Sequence, residues 1–326
     1  MMGNLQIAAT EEMLSRAQGC LLGQLAGDSL GSLVEFKSSQ EIQRKYPAGI
    51  RELEDGGTWG TIAGQPTDDS EMALMLAWML IKHGRYDAEE ARKAYEFWLN
   101  SAPFDCGMTV STGLRGTPNR KSQANGALMR ISPLGIFGCN YDLDRVSAYA
   151  MADAEITHPH PICVQANALF AMAVASAIGT WKGAQELYQL IRVWAREICI
   201  DTLLAKAIED ASDSAPADYL HQQGWVLIAF QNALWQLLHA ASLEDGVVDT
   251  VMRGGDTDTN AAIAGALLGA VYGLSAVPAQ WRDKLLNCRP EAGRPNVQHP
   301  RPECFWPVHA LHIARCLVAG GELEES

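Results

Sequence analysis

Residues 254–273 of the chain read GGDTDTNAAIAGALLGAVYG. Two aspartates and two threonines, at positions 256–259, stand between a pair of glycines and a long run of Ala, Gly and Leu. Residues 261–278 carry no charge and approach the length of a membrane span, but their Gly and Ala content and the adjacent aspartates favour a buried core helix. The four oxygen-bearing side chains therefore either cap this helix or hold a ligand that needs oxygen donors.

Small residues recur at intervals of four in two predicted helices. This spacing places them on one helix face. Each interior glycine costs about 0.5–1 kcal/mol relative to alanine, so the two stripes require a structural reason. We predict that both helices pack closely on their neighbours or on each other, and that the two ends of the chain meet in the core. The stripes are Gly19, Gly23, Gly27 and Gly31, and Ala261, Gly265, Gly269 and Gly273.

Helical periodicity dominates the rest of the sequence, and no alternating run of β-branched residues predicts a sheet. Of the 326 residues, 48% are hydrophobic and only 19% are charged, which favours much buried helix surface. We predict one all-α domain over 1–326, with frayed tails at 1–11 and 320–326. The predicted helices are 12–32, 70–83, 87–100, 123–137, 142–153, 161–179, 183–198, 201–212, 222–241, 244–252, 258–274, 278–288 and 307–319.

Charge and cysteine usage restrict the possible partners and compartment. The 25 basic and 38 acidic residues give a net charge of -13, without a Lys/Arg stripe, which argues against binding to a nucleic-acid backbone. The eight cysteines show no CxxC pair, and Cys20, Cys163 and Cys316 lie in apolar helical segments as buried thiols. The N-terminal segment does not resemble a secretory signal. We expect a cytoplasmic monomer that binds neither nucleic acid nor membrane.

A second oxygen cluster precedes another apolar helix, in PTDDSEMALMLAWML at 66–80. Thr67, Asp68 and Asp69 stand at its start. Asp68 and Glu71 have the spacing of a capping box, so a capping role is the alternative interpretation. Capping needs one side chain per helix, however, and each of the two clusters supplies three oxygen donors.

Carboxylates and hydroxyls without His or Cys are ligands for a hard cation such as Mg²⁺ or Mn²⁺, and they argue against zinc or copper. Four converging aspartates would repel one another, and two divalent cations would relieve that repulsion. Glu35, at the end of LAGDSLGSLVEF, is placed to reach the same space. Taken alone, Glu35 would be a solvated residue at a helix end.

Five segments, in this order along the chain, together resemble the ADP-ribosylglycohydrolase family. The resemblance implies an all-α domain of orthogonal helices with a central cleft for two metal ions. It also implies a metal-dependent hydrolase that removes ADP-ribose from a modified protein side chain, arginine first of all. The segments are GCLLGQLAGDSLGSLVEF, TDDSEMAL, NGALMRISPLGIF, ITHPHP and GGDTDTNAAIAGALLGAVYG.

The resemblance assigns catalytic and metal-binding roles to particular residues. Glu35 would perform acid/base work, with Asp256 as a further candidate, and Asp105 would hold the guanidinium of the leaving arginine. A carboxylate is the natural partner of that planar cation, although Asp105 lies in a turn-like stretch where Asp is common for local reasons. The implied ligands of two Mg²⁺ or Mn²⁺ ions are Thr67, Asp68, Asp69, Asp256, Asp258 and Thr259.

The same resemblance implies a cleft that binds ADP-ribose. Asn125 and Gly126 would lie where a loop enters the helix predicted over 123–137, a place where backbone N–H groups suit a pyrophosphate. His158 would lie near the nucleotide, and His160 carries less weight. Trp225 stands where some members have a tyrosine over the cleft, and a core tryptophan is the alternative. The loop 101–123 would form the acceptor side.

Other functions fit parts of the same pattern. The bond cleaved could join ADP-ribose to serine, or belong to a small-molecule ADP-ribose conjugate. A catalytically silent relative that binds ADP-ribose is a second alternative. Without the resemblance, a dinuclear-metal phosphoesterase would be a third, although the oxygen clusters contain no histidine.

Overall fold

The computed structural model describes residues 10–198 and 201–321 of the chain. These residues form α-helices and short 3₁₀ turns and contain no β-strand, which confirms the predicted all-α fold. The α-helices are α1 Glu11–Gly31, α2 Ser39–Lys45, α3 Asp68–His83, α4 Ala88–Asn100, α5 Met108–Leu114, α6 Ser132–Phe137, α7 Leu143–Glu155, α8 Pro161–Thr180, α9 Ala184–Ile198, α10 Thr202–Asp210, α11 Val226–His239, α12 Leu243–Met252, α13 Thr257–Tyr272, α14 Ala279–Asn287 and α15 Ala310–Val318.

Helices α1 and α13 form the centre of the fold and pack on each other along the two stripes of small residues. A Cβ atom added to Gly23 would lie 2.2 Å from the carbonyl oxygen of Gly265, and one added to Gly265 would lie 2.2 Å from that of Gly23. A Cβ added to Gly27 would lie 2.1 Å from the carbonyl oxygen of Ala261. The two backbones are therefore in direct contact, and the predicted meeting of the two chain ends is confirmed.

Other helices surround this pair. The long helix α8 packs on α7 and α6 and also contacts α1 and α13. By length and composition α8 could cross a membrane, but 89% of its most apolar window is buried inside the protein. Helix α15 returns to α1, so the last described helix covers the first.

Two short helices, α2 and α5, lie in segments where no helix was predicted. Helix α2 has a capping box in which Glu41 N donates to Ser38 Oγ and Ser38 N donates to Glu41 Oε2. Only Ile42 of this helix is buried. Seven residues with one apolar anchor give too weak a periodicity to be recognised.

The helix predicted over 123–137 is wrong in its first half. Residues 126–130 form turns, and α6 begins only at Ser132. Pro133 is at the start of that helix, where its missing N–H costs nothing. In a helix running from 123, its ring would clash with the carbonyl of Met129, and the hydrogen bond to that carbonyl would be lost.

The structure also tests the predicted tails and the predicted burial of three cysteines. Of the predicted tails, 1–9 and 322–326 lie outside the described residues. Thr10 caps α1 by accepting a hydrogen bond from Met13 N at 3.1 Å, so α1 begins inside the first predicted tail. All seven described cysteines are free thiols, and the predicted burial of Cys20, Cys163 and Cys316 is confirmed.

Candidate active site

The close packing of α1 on α13 determines where the acidic side chains lie. At the end of α1, a Cβ on Gly31 would lie 2.4 Å from Asp258 Cα, so the first turn of α13 touches the last turn of α1. Thr257 Oγ1 donates to the carbonyl oxygen of Gly31 at 2.7 Å and fixes this register. Glu35 follows four residues after Gly31, and is thereby brought to the aspartates that start α13.

A pair of backbone hydrogen bonds ties Glu35 to the aspartates a second time. Phe36 N donates to Gly255 O at 2.8 Å, and Gly255 N donates to Lys37 O at 2.9 Å. Phe36 has a φ of 65°, a conformation that a bulky residue adopts only where surrounding contacts hold it. The segments that carry Glu35 and Asp256 therefore form one rigid unit.

The start of α3 is capped from outside by Asp28. The Asp28 carboxylate, buried in α1, accepts hydrogen bonds from Thr67 N and Ser70 N, each at 3.1 Å, and from Thr67 Oγ1 at 2.8 Å. Thr67 is the N-cap residue, but its own side chain makes no capping hydrogen bond. The oxygens of Asp68 and Asp69 are consequently not needed as caps of α3.

The alternative interpretation of Asp68 and Glu71 as a capping box is wrong. Glu71 is buried and forms an ion pair with Arg301, with Arg301 Nε at 2.7 Å from Glu71 Oε1. Arg301 Nη1 also donates to the carbonyl oxygen of Ser101 at 2.9 Å. This buried pair fixes the loop that leads to Asp105.

The start of α13 likewise lacks a capping side chain, because Asp256 is the N-cap residue and makes no capping hydrogen bond. Asp256 Oδ2 instead accepts a hydrogen bond from Asn125 Nδ2 at 2.7 Å. Asp258 Oδ1 accepts from Thr259 N at 2.9 Å. The other carboxylate oxygens of Asp256 and Asp258 remain available to a ligand.

Glu35, Asp105 and Asp258 form the most compact acidic group of the site. One oxygen of each lies within 4.8 Å of one from either of the others. Trp59 Nε1 donates to Glu35 Oε2 at 2.6 Å. Burial, together with neighbouring carboxylates, raises the pKa of Glu35 to about 8 and that of Asp105 to about 7. The site is therefore short of positive charge.

The donor set fits a hard divalent cation. Every candidate ligand is a carboxylate or hydroxyl oxygen, the donors that Mg²⁺ and Mn²⁺ prefer. Asp69 Oδ1 is buried and has no hydrogen-bond partner among the described residues, a costly arrangement unless a cation or another ligand contacts it. Burial and the nearby Asp68 and Asp28 raise the pKa of Asp69 well above its usual range. A bound cation would remove that penalty.

The six predicted metal ligands stand at the starts of α3 and α13, but they are not equally accessible. Asp68, Asp256, Asp258 and Thr259 line a cleft of about 270 Å³ together with Glu35 and Asp105. Thr67 and Asp69 are fully buried and do not line it. Three of the four predicted aspartate ligands therefore line the cleft, whereas Asp69 is buried and does not.

Asn125, Gly126 and His158 also line the cleft, and Asn125 lies next to Asp256. Asn125 and Gly126 lie in a turn, where Leu128 N donates to Asn125 O at 2.8 Å. Since α6 starts at Ser132, the predicted placement of these two residues at an α-helix N-terminus is wrong. Both residues nevertheless line the cleft, and their substrate-binding role stays a prediction.

The two histidines of the ITHPHP segment have different environments. His158 is fully buried beside the cleft, and burial together with Arg130 lowers its pKa to about 3. His160 is the N-cap residue of α8, and its Nδ1 accepts a hydrogen bond from Ile162 N at 3.2 Å. The greater weight given to His158 therefore agrees with its location.

Comparison with known proteins gives this cleft a family. The sequence model of the ADP-ribosylglycohydrolase family matches residues 9–303. The chain belongs to the ADP-ribosylglycohydrolase family. The ADP-ribosyl-[dinitrogen reductase] glycohydrolase of Rhodospirillum rubrum is 31% identical over 281 residues, covering 83% of this chain and 90% of that protein.

One further relative and one solved structure are similar to this chain. The ADP-ribosylarginine hydrolase Tri1 of Pseudomonas putida (strain GB-1) is 26% identical over 292 residues, covering 84% of this chain and 75% of that protein. A solved structure described as an ADP-ribosylglycohydrolase-related protein complex matches with a TM-score of 0.76 and 24% identity, over 96% of this chain and 99% of that one. Membership confirms the resemblance read from the sequence and supports hydrolysis of ADP-ribosyl groups.

A predicted substrate-binding residue of this glycohydrolase, Trp225, also lies outside the cleft. Trp225 is half-buried in an adjoining groove and donates from Nε1 to Gln123 Oε1 at 2.8 Å. The groove and the cleft share Ala124, Gln223 and Gly224. Trp225 is therefore neither a core tryptophan nor a residue of the acidic cleft, and a stacking role stays a prediction for the groove alone.

Sequence reasoning missed Asp28 and Trp59. Asp28 is fully buried in α1, and a lone charged residue among the small and apolar residues of a predicted core helix is a usable signal, because such a residue requires buried partners. Trp59 is in an irregular segment far from any motif, so nothing in the sequence connects it to Glu35.

Proposed function

We propose that this glycohydrolase hydrolyses the N-glycosidic bond between ADP-ribose and an arginine side chain of a modified protein. The observation that carries the proposal is the position of Asp105, which presents a carboxyl group in the cleft within 4.8 Å of Glu35 and Asp258 oxygens. An arginine guanidinium is planar and cationic, and carboxylates bind it with charge-assisted hydrogen bonds. A guanidinium at this position would favour ionised Asp105, whose pKa is otherwise raised to about 7.

The name of one relative supports this choice of linkage. One relative is named as an ADP-ribosylarginine hydrolase, and the Rhodospirillum protein as acting on ADP-ribosylated dinitrogen reductase. An ADP-ribosylated protein would thus be the substrate and free ADP-ribose a product. The net charge of -13 makes local donors and cations necessary for holding an anionic ADP-ribosyl group.

Two divalent cations, Mg²⁺ or Mn²⁺, are the cofactors of the proposed reaction. When bound, they supply positive charge that orients the hydroxyls of the distal ribose and stabilises the transition state. The residues proposed to hold them are those at the starts of α3 and α13, namely Thr67, Asp68, Asp69, Asp256, Asp258 and Thr259.

The chain's own side chains would perform the remaining steps. Asp105 binds the leaving guanidinium while the bond between the anomeric carbon and the guanidinium nitrogen breaks, and the electron pair and a proton end on that nitrogen. A water forms the new C–O bond and loses a proton to Glu35, with Asp256 as the alternative acceptor, and this proton is the one that ends on the guanidine nitrogen. The pKa of Glu35 is raised to about 8 in the absence of cations, and bound cations would favour its ionised form, which is the form that can accept a proton.

Replacement of Asp105 distinguishes the arginine linkage from the serine linkage. For Asp105→Asn we expect kcat/KM on an arginine-linked ADP-ribosyl peptide to fall by about 10–100-fold, because a hydrogen bond to a charged group is lost. Hydrolysis of a serine-linked peptide should change little, because its leaving group is a neutral hydroxyl. Both rates are measured by release of ADP-ribose from matched peptides.

Two results would count against the arginine assignment. One is an unchanged rate of Asp105→Asn on the arginine-linked peptide. The other is wild-type protein that cleaves the serine-linked peptide and leaves the arginine-linked peptide intact, which would move the proposal to the serine linkage.

A further inference from the structure

A chain of buried hydrogen bonds leads from Asp153 to the cleft. Arg130 Nε donates to Asp153 Oδ1 at 3.0 Å, and Arg130 Nη1 donates to Thr157 Oγ1 at 2.9 Å. Thr157 Oγ1 lies 2.8 Å from His158 Nδ1. Tyr95 closes the chain at its other end by donating to Asp153 Oδ2 at 2.8 Å. All five side chains are fully buried, so their protons are distributed among these partners alone.

The direction of each proton follows from the chemistry of the groups. Arginine has N–H donors and no acceptor, so the Thr157 hydroxyl accepts from Arg130. The hydroxyl has one proton, and its remaining close partner is His158 Nδ1. If Thr157 accepted from both neighbours, this proton would be left without an acceptor in a buried site. The network is satisfied only when Thr157 donates to Nδ1, and Nδ1 therefore carries no proton.

The proton of a neutral imidazole is then on Nε2. The guanidinium of Arg130 and full burial both disfavour a second proton on His158, whose pKa is lowered to about 3. Nε2 is buried beside the cleft and has no hydrogen-bond partner among the described residues. This N–H thus needs an acceptor that the described protein does not supply.

The space for that acceptor lies beside Gly126. A Cβ atom added to Gly126 would lie 3.1 Å from His158 Cε1 and 3.2 Å from His158 Nε2. The missing side chain leaves this edge of the imidazole open to the cleft. An acceptor-only oxygen satisfies the N–H, whereas a ligand hydroxyl that donates to Nε2 would require the opposite tautomer.

We propose that Arg130 and Thr157 are positioning residues that fix the tautomer of His158, so that His158 Nε2 donates a hydrogen bond to an acceptor-only oxygen of the ADP-ribosyl group. The ligand in this inference rests on the proposed function. His158 is then a permanent neutral donor. It takes no part in proton transfer during hydrolysis, which is left to Glu35 or Asp256.

The tautomer is measurable by ¹⁵N NMR of the free protein labelled at histidine. We expect the His158 signals of one protonated and one unprotonated ring nitrogen, with the proton assigned to Nε2, and no change between about pH 5 and pH 8, since the pKa is lowered to about 3. A proton on Nδ1 would overturn the inference, whether or not the protein is an enzyme.

Two variants of Thr157 test whether its hydroxyl fixes the tautomer of His158. Thr157→Val removes the hydroxyl, and we expect it to weaken ADP-ribose binding about tenfold in calorimetry and to allow a mixture of His158 tautomers. Thr157→Ser keeps the hydroxyl and should restore both the affinity and the single tautomer. A purely structural role would predict that Ser, which loses a packed methyl, also weakens binding.

The outcomes separate this inference from the proposed function. Wild-type protein that does not bind ADP-ribose would contradict both the proposed function and the ligand proposed for His158 Nε2. Wild-type protein that binds ADP-ribose but carries the His158 proton on Nδ1 would contradict only the inference that Arg130 and Thr157 fix the His158 tautomer. If Thr157→Val is too unstable to purify, the ¹⁵N spectrum of the wild-type protein and the ADP-ribose affinity of Thr157→Ser still test the inference about the His158 tautomer.

Discussion

The Asp258→Asn variant is expected to fold normally and to lose about 10²–10³-fold of the rate of ADP-ribose release. The substitution keeps the Oδ1 acceptor for Thr259 N, so the start of α13 is preserved. It removes one negative charge from the acidic group with Glu35 and Asp105. Loss of about 3–4 kcal/mol of electrostatic stabilisation of the transition state corresponds to this decrease in rate.

A melting curve and a remote variant make the Asp258 result interpretable. Because burial and then the repulsion of neighbouring carboxylates raise the pKa of Asp258 well above its usual range, metal-free Asp258→Asn should melt no lower than wild type. Added Mg²⁺ or Mn²⁺ should raise its Tm less than it raises that of wild type. Asp213→Asn, an exposed residue outside the cleft, should behave as wild type in every assay. An Asp258→Asn enzyme as active as wild type would refute the assignment of this cleft as the active site.

The Gly23→Ala variant is expected to be severely destabilised, by about 3 kcal/mol or more in urea unfolding. The added Cβ would lie 2.2 Å from Gly265 O and 2.8 Å from Gly265 C, so the obstacle is backbone and not a movable side chain. Overpacking of a core typically costs about 1–3 kcal/mol, and separation of two helices in direct contact belongs at or above that range. The small gain in helix propensity from Gly to Ala does not offset it.

Gly183→Ala is the matched control for this prediction. A Cβ on Gly183 meets no atom within 4 Å, and the residue does not have a positive φ. Its stability should stay within about 0.5 kcal/mol of wild type. If Gly23→Ala unfolded at the same urea concentration as Gly183→Ala, the direct contact between α1 and α13 would be disproved.

The core pair and the acidic clusters could be predicted from the sequence because both follow from short-range patterns. A four-residue spacing of small residues indicates one helix face and predicted close packing on neighbouring helices or between the two striped helices; the structure shows the second arrangement. Two oxygen-rich helix starts indicated a shared site, and the structure brings Asp68, Asp256 and Asp258 to one cleft. The family followed from the order of these same segments, and the match over residues 9–303 confirms it.

The failures concern features determined by contacts between distant segments. Capping of α3 by Asp28 depends on α1 lying against that helix start, and the sequence around Thr67 contains no sign of it. The ion pair of Glu71 with Arg301 joins residues 230 positions apart, so local spacing suggested a capping box instead. Trp225 was placed in the cleft by analogy, but its hydrogen bond to Gln123 holds it in the adjoining groove.

The helix pair also explains why residues in the core can affect the site. Gly31 and Asp258 are in backbone contact, and the Phe36–Gly255 hydrogen bond repeats the link beyond the helix ends. Any change in the α1–α13 distance therefore changes the separation of Glu35 from the aspartates. The stripe of small residues is a condition both for stability and for the geometry of the cleft.

The most direct test of the account is release of ADP-ribose from an arginine-ADP-ribosylated protein with Mg²⁺, with Mn²⁺ and with EDTA. We predict release with either cation and its loss in EDTA, with recovery when the cation is returned in excess. Release that is equally fast in EDTA would contradict the metal-dependent mechanism. No release under any condition, from folded protein whose Tm rises with added cation, would contradict hydrolysis of the arginine linkage.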